Sequence, residues 1–376
     1  MPTRNKLTFP LLILLLVLGS ACQASWSLPL TENGEAAGAI TRENVEFYIE
    51  KSEEEIEVVP LGQLLYDNGY RLIDQIVLHS EGNEPATFTW DEIAEAADLS
   101  STGELTLDGA AYPVDSLEIQ PSERLSEVEL SIMDLTPTLL MALSLPALPD
   151  AEGQPQFDFN AQQAVIILTD GAQYDKWQAM RASGDLPFFA GQDKVYCGLS
   201  VYPPVTTSAS AALISAAPPA KNGVYGYGYR STELTTLFDR VAESGGSVVA
   251  VEGASLPFNL RNAAVILSGD KDGDGYSDDN VFQNALDVIQ NNLPTLLYVH
   301  FHEIDDMGHS YGENSAEYET ALISVDHYIA QLIAALPAET LVVITADHGM
   351  HTTSDGGNHG TLTAADMLIP ITIILK

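Results

Sequence analysis

The stretch that decides the fold is Leu341-Val342-Val343-Ile344-Thr345-Ala346-Asp347-His348-Gly349-Met350, followed shortly by Gly357-Asn358-His359-Gly360. Leu341 to Ile344 is short, continuously apolar and without alternation, as expected of a strand covered on both faces. A carboxylate and two imidazoles follow in the loop at its end. The same arrangement recurs upstream. Ala164 to Leu168 runs into Asp170, and Leu296 to His300 is followed by Asp305 and His309. Further apolar strands are expected at Val195 to Val201, Val248 to Val251, Ala263 to Leu267 and Ile369 to Leu375. Helical segments alternate with them: Lys176 to Ser183, Ser208 to Ala216, Leu234 to Ser244, Val281 to Asn291 and Ala316 to Leu336. The alternation predicts an α/β fold, a doubly wound, mostly parallel sheet with helices on both faces. Functional groups in such sheets gather outside the C-terminal ends of the strands. Asp170, Asp305, His309, Asp347, His348 and His359 all fall there.

The chain has 376 residues, 53 acidic against 15 basic, for a formal net charge of -38. No basic patch is available for a nucleic-acid backbone. The acidity suits a solvated surface in an extracellular or salty medium. The N-terminus reads as an export signal: Arg4 and Lys6, then apolar Pro10 to Leu18, then Leu18-Gly19-Ser20-Ala21-Cys22. The small residues before Cys22 resemble a bacterial lipobox. Residues 1–22 are therefore expected as a signal, with Cys22 lipidated and the protein tethered to the outer face of a membrane. Simple cleavage after Ala21 or Ala24, giving a secreted protein, is the alternative. Residues 23–43 read as a linker and 44–125 as a small α+β module. In that module Val45 to Ile49 and Ile56 to Val59 are expected as strands and Leu61 to Asn68 as a helix. The catalytic unit is expected over 126–376. The only other cysteine, Cys197, excludes a disulfide framework and reads as a small buried residue.

The ligand spacing points to metal. Asp305 and His309 are one helical turn apart, and Asp347 and His348 are adjacent, as in a loop wrapping an ion. Mixed carboxylate and imidazole donors suit zinc, with manganese or iron as alternatives. Six donors divide into two sites of three, and two such ions could clamp the attacking and leaving oxygens of a phosphoryl group. Tyr202-Pro203-Pro204-Val205-Thr206-Thr207-Ser208 runs into a small-residue helix, placing hydroxyls at a helix N-terminus. A second cation motif lies in Gly269 to Asp279. Asp270, Asp272, Asp274, Tyr276 and Asp278 have calcium-loop spacing, but Val281 stands where the closing Glu would be. A solvated acidic loop is the other reading. His300 and His302 read as supporting or packing groups at a strand end, and His351 as packing or substrate contact.

Together these residues resemble the alkaline phosphatase superfamily, and within it the type I phosphodiesterase/nucleotide pyrophosphatase branch. Leu168-Thr169-Asp170-Gly171, Pro203-Pro204-Val205-Thr206, Asp305-Asp306-Met307-Gly308-His309, Asp347-His348-Gly349-Met350 and His359-Gly360 carry the likeness, over about 164–376. The resemblance implies one ion on Asp170, Asp347 and His348 with Thr206 reaching it, and another on Asp305, His309 and His359. Thr206 would attack phosphorus and form a phosphothreonine that water releases. Where relatives carry a phosphoryl-binding Asn, this chain has Tyr225-Gly226-Tyr227-Gly228-Tyr229-Arg230, so Tyr227, Arg230 or Lys221 is expected to contact substrate. Chain order also departs from the pattern. Residues 126–156 resemble the superfamily's closing helix segment but precede the core, which suggests a circular permutation with Asp134 to Leu145 beside Ile369 to Leu375. The expected activity is hydrolysis of small phosphodiesters or nucleotide pyrophosphates. A phosphomonoesterase, a phosphonate hydrolase and a non-catalytic calcium-binding surface module are the alternatives.

Overall fold

The computed structural model describes residues 25–52, 55–271, 273 and 275–376. Cys22 and the signal segment, and Asp272 and Asp274 of the acidic loop, lie outside the described residues. Among those described, no helix is long and apolar enough to cross a membrane.

The core is an eight-stranded sheet. Its spatial order is Leu130–Ser131, Tyr196–Leu199, Leu368–Leu375, Thr340–Thr345, Gln163–Thr169, Leu296–Phe301, Val248–Glu252 and Ala264–Leu267. Leu368–Leu375 runs antiparallel to both neighbours, and the other pairings are parallel. The sheet is therefore mostly parallel, as the apolar runs require. Thr340–Thr345, Gln163–Thr169 and Leu296–Phe301 are buried almost throughout and form the centre. Their registers align Leu168 with both Thr345 and His300, so all three strands end at one level.

The helix Thr206–Ser215 is buried along its whole length. Its Ala and Ser residues leave room for the segment Ile132–Ala142, which packs against it, and Thr136 donates to the Leu213 carbonyl at 2.6 Å. The same segment touches Thr340–Thr345, next to the last strand. The long helix Ala316–Ala335 packs against Asp278–Asn292 and Glu303–Tyr311.

The N-terminal part differs from the sequence expectation at two places. Residues 23–43 are not a linker: Ser27–Glu32 and Glu35–Thr41 pair as antiparallel strands, and the first also pairs with Ser116–Pro121. Leu28, Leu30 and Ile40 supply the buried side chains that a polar reading of this stretch overlooked. Val45 to Ile49 is not a strand but part of the helix Arg42–Lys51. Thr41 and Asn44 cap each other reciprocally there, and that cap selects helix over β-branched propensity. These elements belong to a five-stranded and a four-stranded sheet with their own apolar core. That second core also takes in Tyr202, Leu362, Met367 and Leu368 from the larger unit, so the two units share buried surface.

Polar contacts also join them, among them a histidine clasp. His351 Nδ1 lies 2.8 Å from Asp366 and its Nε2 3.2 Å from Glu95 of the small module. Burial pushes this imidazole down, but Asp366 and Glu95 outweigh it and raise it to about 9. A raised histidine stabilises fully below its unfolded value near 6.5 and loses that stabilisation as pH rises through the folded value. Urea unfolding should therefore show stability falling by about 2 kcal/mol between pH 6.5 and 9.5. His351→Gln should flatten that decline, and an unchanged slope in the variant would contradict this role.

Candidate metal centre

The aligned strand ends bring the ligand-type residues together. Asp170 follows Gln163–Thr169, Asp347 and His348 follow Thr340–Thr345, and Asp305 and His309 lie on Glu303–Tyr311 beyond Leu296–Phe301. His359 stands just after the hairpin of His351–Thr353 and Gly356–Asn358. Gly171 lets two of these segments meet. Its φ is +69°, and a Cβ there would lie 2.8 Å from Asp305 Oδ1.

Two sets of donor atoms result. In the first, His348 Nε2 lies 3.2 Å from Asp170 Oδ1, 3.6 Å from Asp347 Oδ2 and 3.4 Å from Thr206 Oγ1. In the second, His309 Nε2 is 3.3 Å from Asp305 Oδ2 and 3.2 Å from His359 Nε2, which is 3.6 Å from Asp305 Oδ1. Ligands at zinc-bond lengths on a tetrahedron stand about 3.4 Å apart, the spacing of these contacts, with His309 and His359 facing different oxygens of Asp305 in the second set. His348 and His359 stack at 3.7 Å, which also brings the donor atoms of Asp305, His348 and His359 within 4.8 Å of one another. The imidazole of His348 is the wall between the two sets.

The three histidines are held in one tautomer. Their Nδ1 atoms face backbone carbonyls: His348 to Gly349 at 2.9 Å, His309 to Gly357 at 3.1 Å and His359 to Pro204 at 3.0 Å. A carbonyl only accepts, so each Nδ1 donates, which leaves Nε2 as the ring atom that faces the site and the one a cation would take. Burial and the neighbouring His348 push His359 down to about 3, which keeps it neutral. Burial and the charge of Asp170 push Asp347 up to about 7. Burial also pushes Asp170 up, but the facing imidazoles of His300, His302 and His348 overcome it and hold this carboxyl well below the usual range. Asp170 Oδ1, Asp305 Oδ1 and Asp347 Oδ2 are buried without a hydrogen-bond donor. Cations at these positions would satisfy all three, so the residues fit a pair of divalent ions.

Glu252 was not singled out from the sequence. It ends Val248–Glu252 at the same sheet edge, buried, with Oε2 3.1 Å from both His300 Nδ1 and His302 Nε2. The opposite nitrogens, His300 Nε2 and His302 Nδ1, face Asp170 Oδ2 at 3.2 and 3.4 Å. The two rings thus connect Glu252 to Asp170, a closer engagement than packing. A charged residue closing an apolar strand at the functional edge was the available signal.

The expected substrate contacts divide. Tyr227 reaches the site, its hydroxyl 3.2 Å from His359 Nε2. Lys221 and Arg230 do not: Lys221 pairs with Glu152 at 3.5 Å, and Arg230 donates to the Pro257 carbonyl at 3.0 Å. The left-handed residue Gly223 turns the chain after the short helix Pro219–Asn222, and Lys221 follows that helix outward. In the acidic loop, Asp270 accepts from the amides of Gly273 and Gly275. Asp278 is wholly buried and accepts from the amides of His302 and Glu303 at 2.9 and 3.0 Å, capping the helix that carries Asp305. Both its oxygens thus serve that helix rather than the loop.

A mostly parallel sheet edge thus gathers three aspartates, two of them buried, and three histidines beside a helix-terminal threonine, a donor set suited to divalent cations. Residues 261–368 match the family model for type I phosphodiesterase / nucleotide pyrophosphatase. The matched segment is of that phosphodiesterase kind. Among curated proteins it is similar to a phosphopentomutase of Herpetosiphon aurantiacus, 32% identical over 129 residues, covering 34% of this chain and 31% of that protein. It is also similar to GPI ethanolamine phosphate transferase 3 of Eremothecium gossypii, 28% identical over 169 residues, covering 37% of this chain and 16% of the relative. The matches therefore span a third or less of those relatives. A crystal structure of phosphonoacetate hydrolase from Sinorhizobium meliloti 1021 aligns with 55% of this chain and 60% of its own, at 18% identity and a TM-score of 0.42.

Proposed function

We propose that the protein hydrolyses small phosphodiesters, with Thr206 as nucleophile and two divalent cations, zinc by donor type, as cofactors. One cation would sit on Asp170, Asp347, His348 and Thr206, the other on Asp305, His309 and His359. The observation that carries this reading is the pair of donor sets at coordination-shell spacing with the Thr206 hydroxyl at the rim of one. When bound, such ions supply Lewis acidity toward phosphoryl oxygens and lower the pKa of a coordinated hydroxyl.

Thr206 opens a ten-residue helix whose first turn has no side-chain cap. Its first amides are directed at the oxygens of an incoming phosphoryl group. The Thr206 oxygen bonds to phosphorus as the ester P–O bond breaks, and the alcohol leaves. Water then cleaves the phosphothreonine ester, regenerating the hydroxyl. Tyr227, whose burial and carboxylate neighbours raise its phenol pKa, stays protonated and donates to a phosphoryl oxygen. Glu252, His300 and His302 act as positioning residues that hold the Asp170 carboxylate.

A diester fits better than a monoester. A monoester dianion carries a second charge, and Lys221 and Arg230, the cations expected to meet it, are engaged elsewhere. Zinc-loaded protein should therefore turn over bis(4-nitrophenyl) phosphate with a kcat/KM at least about tenfold above that for 4-nitrophenyl phosphate. A chelator should abolish both activities, and zinc should restore them. A clear monoester preference would overturn the diesterase reading in favour of a phosphatase.

Export with a lipid on Cys22 belongs to the same proposal and rests on the N-terminal composition. A structural calcium ion at Asp270 rests on the loop spacing. The permuted order is supported by Ile132–Ala142 packing on the nucleophile helix and on Thr340–Thr345.

A further inference from the structure

The hairpin of His351–Thr353 and Gly356–Asn358 stands between His348 and His359 in the chain. None of residues 351–358 is buried, so no apolar side chain fixes where the hairpin lies. It rests instead on the backbone of the helix that carries Asp305 and His309. A Cβ at Gly356 would come 2.1 Å from the His309 carbonyl oxygen, and one at Gly357 2.5 Å from that of Gly308. The Gly357 carbonyl accepts from His309 Nδ1 at 3.1 Å, and Asn358 directly precedes His359. Displacing the hairpin therefore moves two donors of the second set, His309 through its hydrogen bond and His359 through the chain.

The small module holds the base of this hairpin. His351 and Asn358 face each other across it, and Glu95 Oε1 meets both. Asn358 Nδ2 donates to that oxygen at 2.5 Å, and His351 Nε2 lies 3.2 Å from it. The other His351 nitrogen faces Asp366, so the imidazole sits between two carboxylates and donates to each. Asp366 is wholly buried and also accepts from the amide and hydroxyl of Thr361, two residues beyond His359. The Glu95 side chain is 45% exposed, on the wall of a cleft of about 510 Å³ between the two units. A contact so exposed adds little to overall stability. On a hairpin without buried side chains it decides position instead.

We propose that Glu95 is a positioning residue for the second donor set, so that the small module helps to build the metal centre without touching it. The inference rests on the two-cation reading for what that set holds. Without the Glu95 carboxylate, His351 keeps Asp366, but Asn358 loses its partner. The strand Gly356–Asn358 is then released, and with it the Gly357 carbonyl and the approach to His359. The first set is insulated from this change. Asp170 and Asp347 directly follow central strands, and His348 Nδ1 donates to the Gly349 carbonyl, outside the hairpin.

Calorimetric zinc titration of the metal-free full chain tests the assignment. Glu95→Ala should weaken one equivalent by about tenfold or more and leave the other within about twofold. Glu95→Gln keeps an oxygen for Asn358 and His351 and should recover most of the lost affinity. Asn358→Ala should weaken the same equivalent, and combining it with Glu95→Ala should add little, since both remove one contact. Equal weakening of both equivalents in Glu95→Ala, or none, would overturn the positioning role. Amide hydrogen exchange over 351–358 in the metal-free protein gives a readout that needs no cation. It should quicken by about tenfold in Glu95→Ala, and an unchanged rate would overturn the clasp. A wild type that binds no second zinc, with exchange still responding to Glu95→Ala, would overturn the two-cation reading and leave the clasp standing.

Discussion

Thr206→Ala is expected to lower kcat for bis(4-nitrophenyl) phosphate by about 10³-fold or more, with little change in fold. The side chain is buried at the first position of its helix, and its hydroxyl has the His348 ring nitrogen 3.4 Å away. Removing it takes away the attacking atom but leaves the six other donors in place. Metal content should therefore stay near two equivalents while turnover collapses. Thr206→Ser, which keeps the hydroxyl, should stay within about tenfold of wild type. Acid quenching during turnover, followed by peptide mass spectrometry, should find the phosphoryl ester on Thr206. Full activity in the alanine variant would remove Thr206 from the mechanism and leave direct attack by water.

Asp347→Asn should produce two effects of opposite sign. The first is loss of one metal equivalent, with kcat falling by about 10²-fold or more, since an amide is a poor ligand for a divalent ion. The second is a more stable metal-free protein. Asp347 Oδ1 accepts from the amides of Gly171 at 3.2 Å and His348 at 3.0 Å, and the asparagine oxygen keeps both bonds. The change falls on Oδ2, which is buried without a donor and lies 3.6 Å from His348 Nε2. There the neutral amide has no buried charge to desolvate, and the repulsion from Asp170 is gone. Thermal melts in chelator should place the variant above wild type, and melts in zinc should place it below. A variant less stable than wild type in both conditions would mean that Asp347 serves folding rather than metal. The contrast distinguishes a carboxylate kept for a cation from one kept for structure.

The sheet and its functional edge were legible because the pattern is local. Short apolar runs ending in Asp170, Asp347-His348 and the Asp305 to His309 turn carry strand, direction and ligand type in one stretch each. The boundaries found for Gln163–Thr169 and Thr340–Thr345 differ from those runs by a residue or two. The N-terminal strands were missed for the opposite reason. Ser27–Glu32 and Glu35–Thr41 bury few side chains, and pairing with Ser116–Pro121, distant in sequence, makes them strands.

Which residues gather at the strand ends follows from the chain's own pattern, since strand length and ligand chemistry are written at each strand end. How the carboxylates and imidazoles are shared out does not. The stacking of His348 on His359, the Glu252–His300–His302–Asp170 chain of contacts and the outward turn of Lys221 all depend on how loops from different strands meet. The same holds for the edge-on contact of Tyr48 with Tyr225, which lie far apart in sequence and meet only because the two units share an apolar core. Side-chain type is a property of one position, whereas a lone pair's target, a charge's partner or a pocket's far wall belongs to at least two. Only packing brings the second one into place.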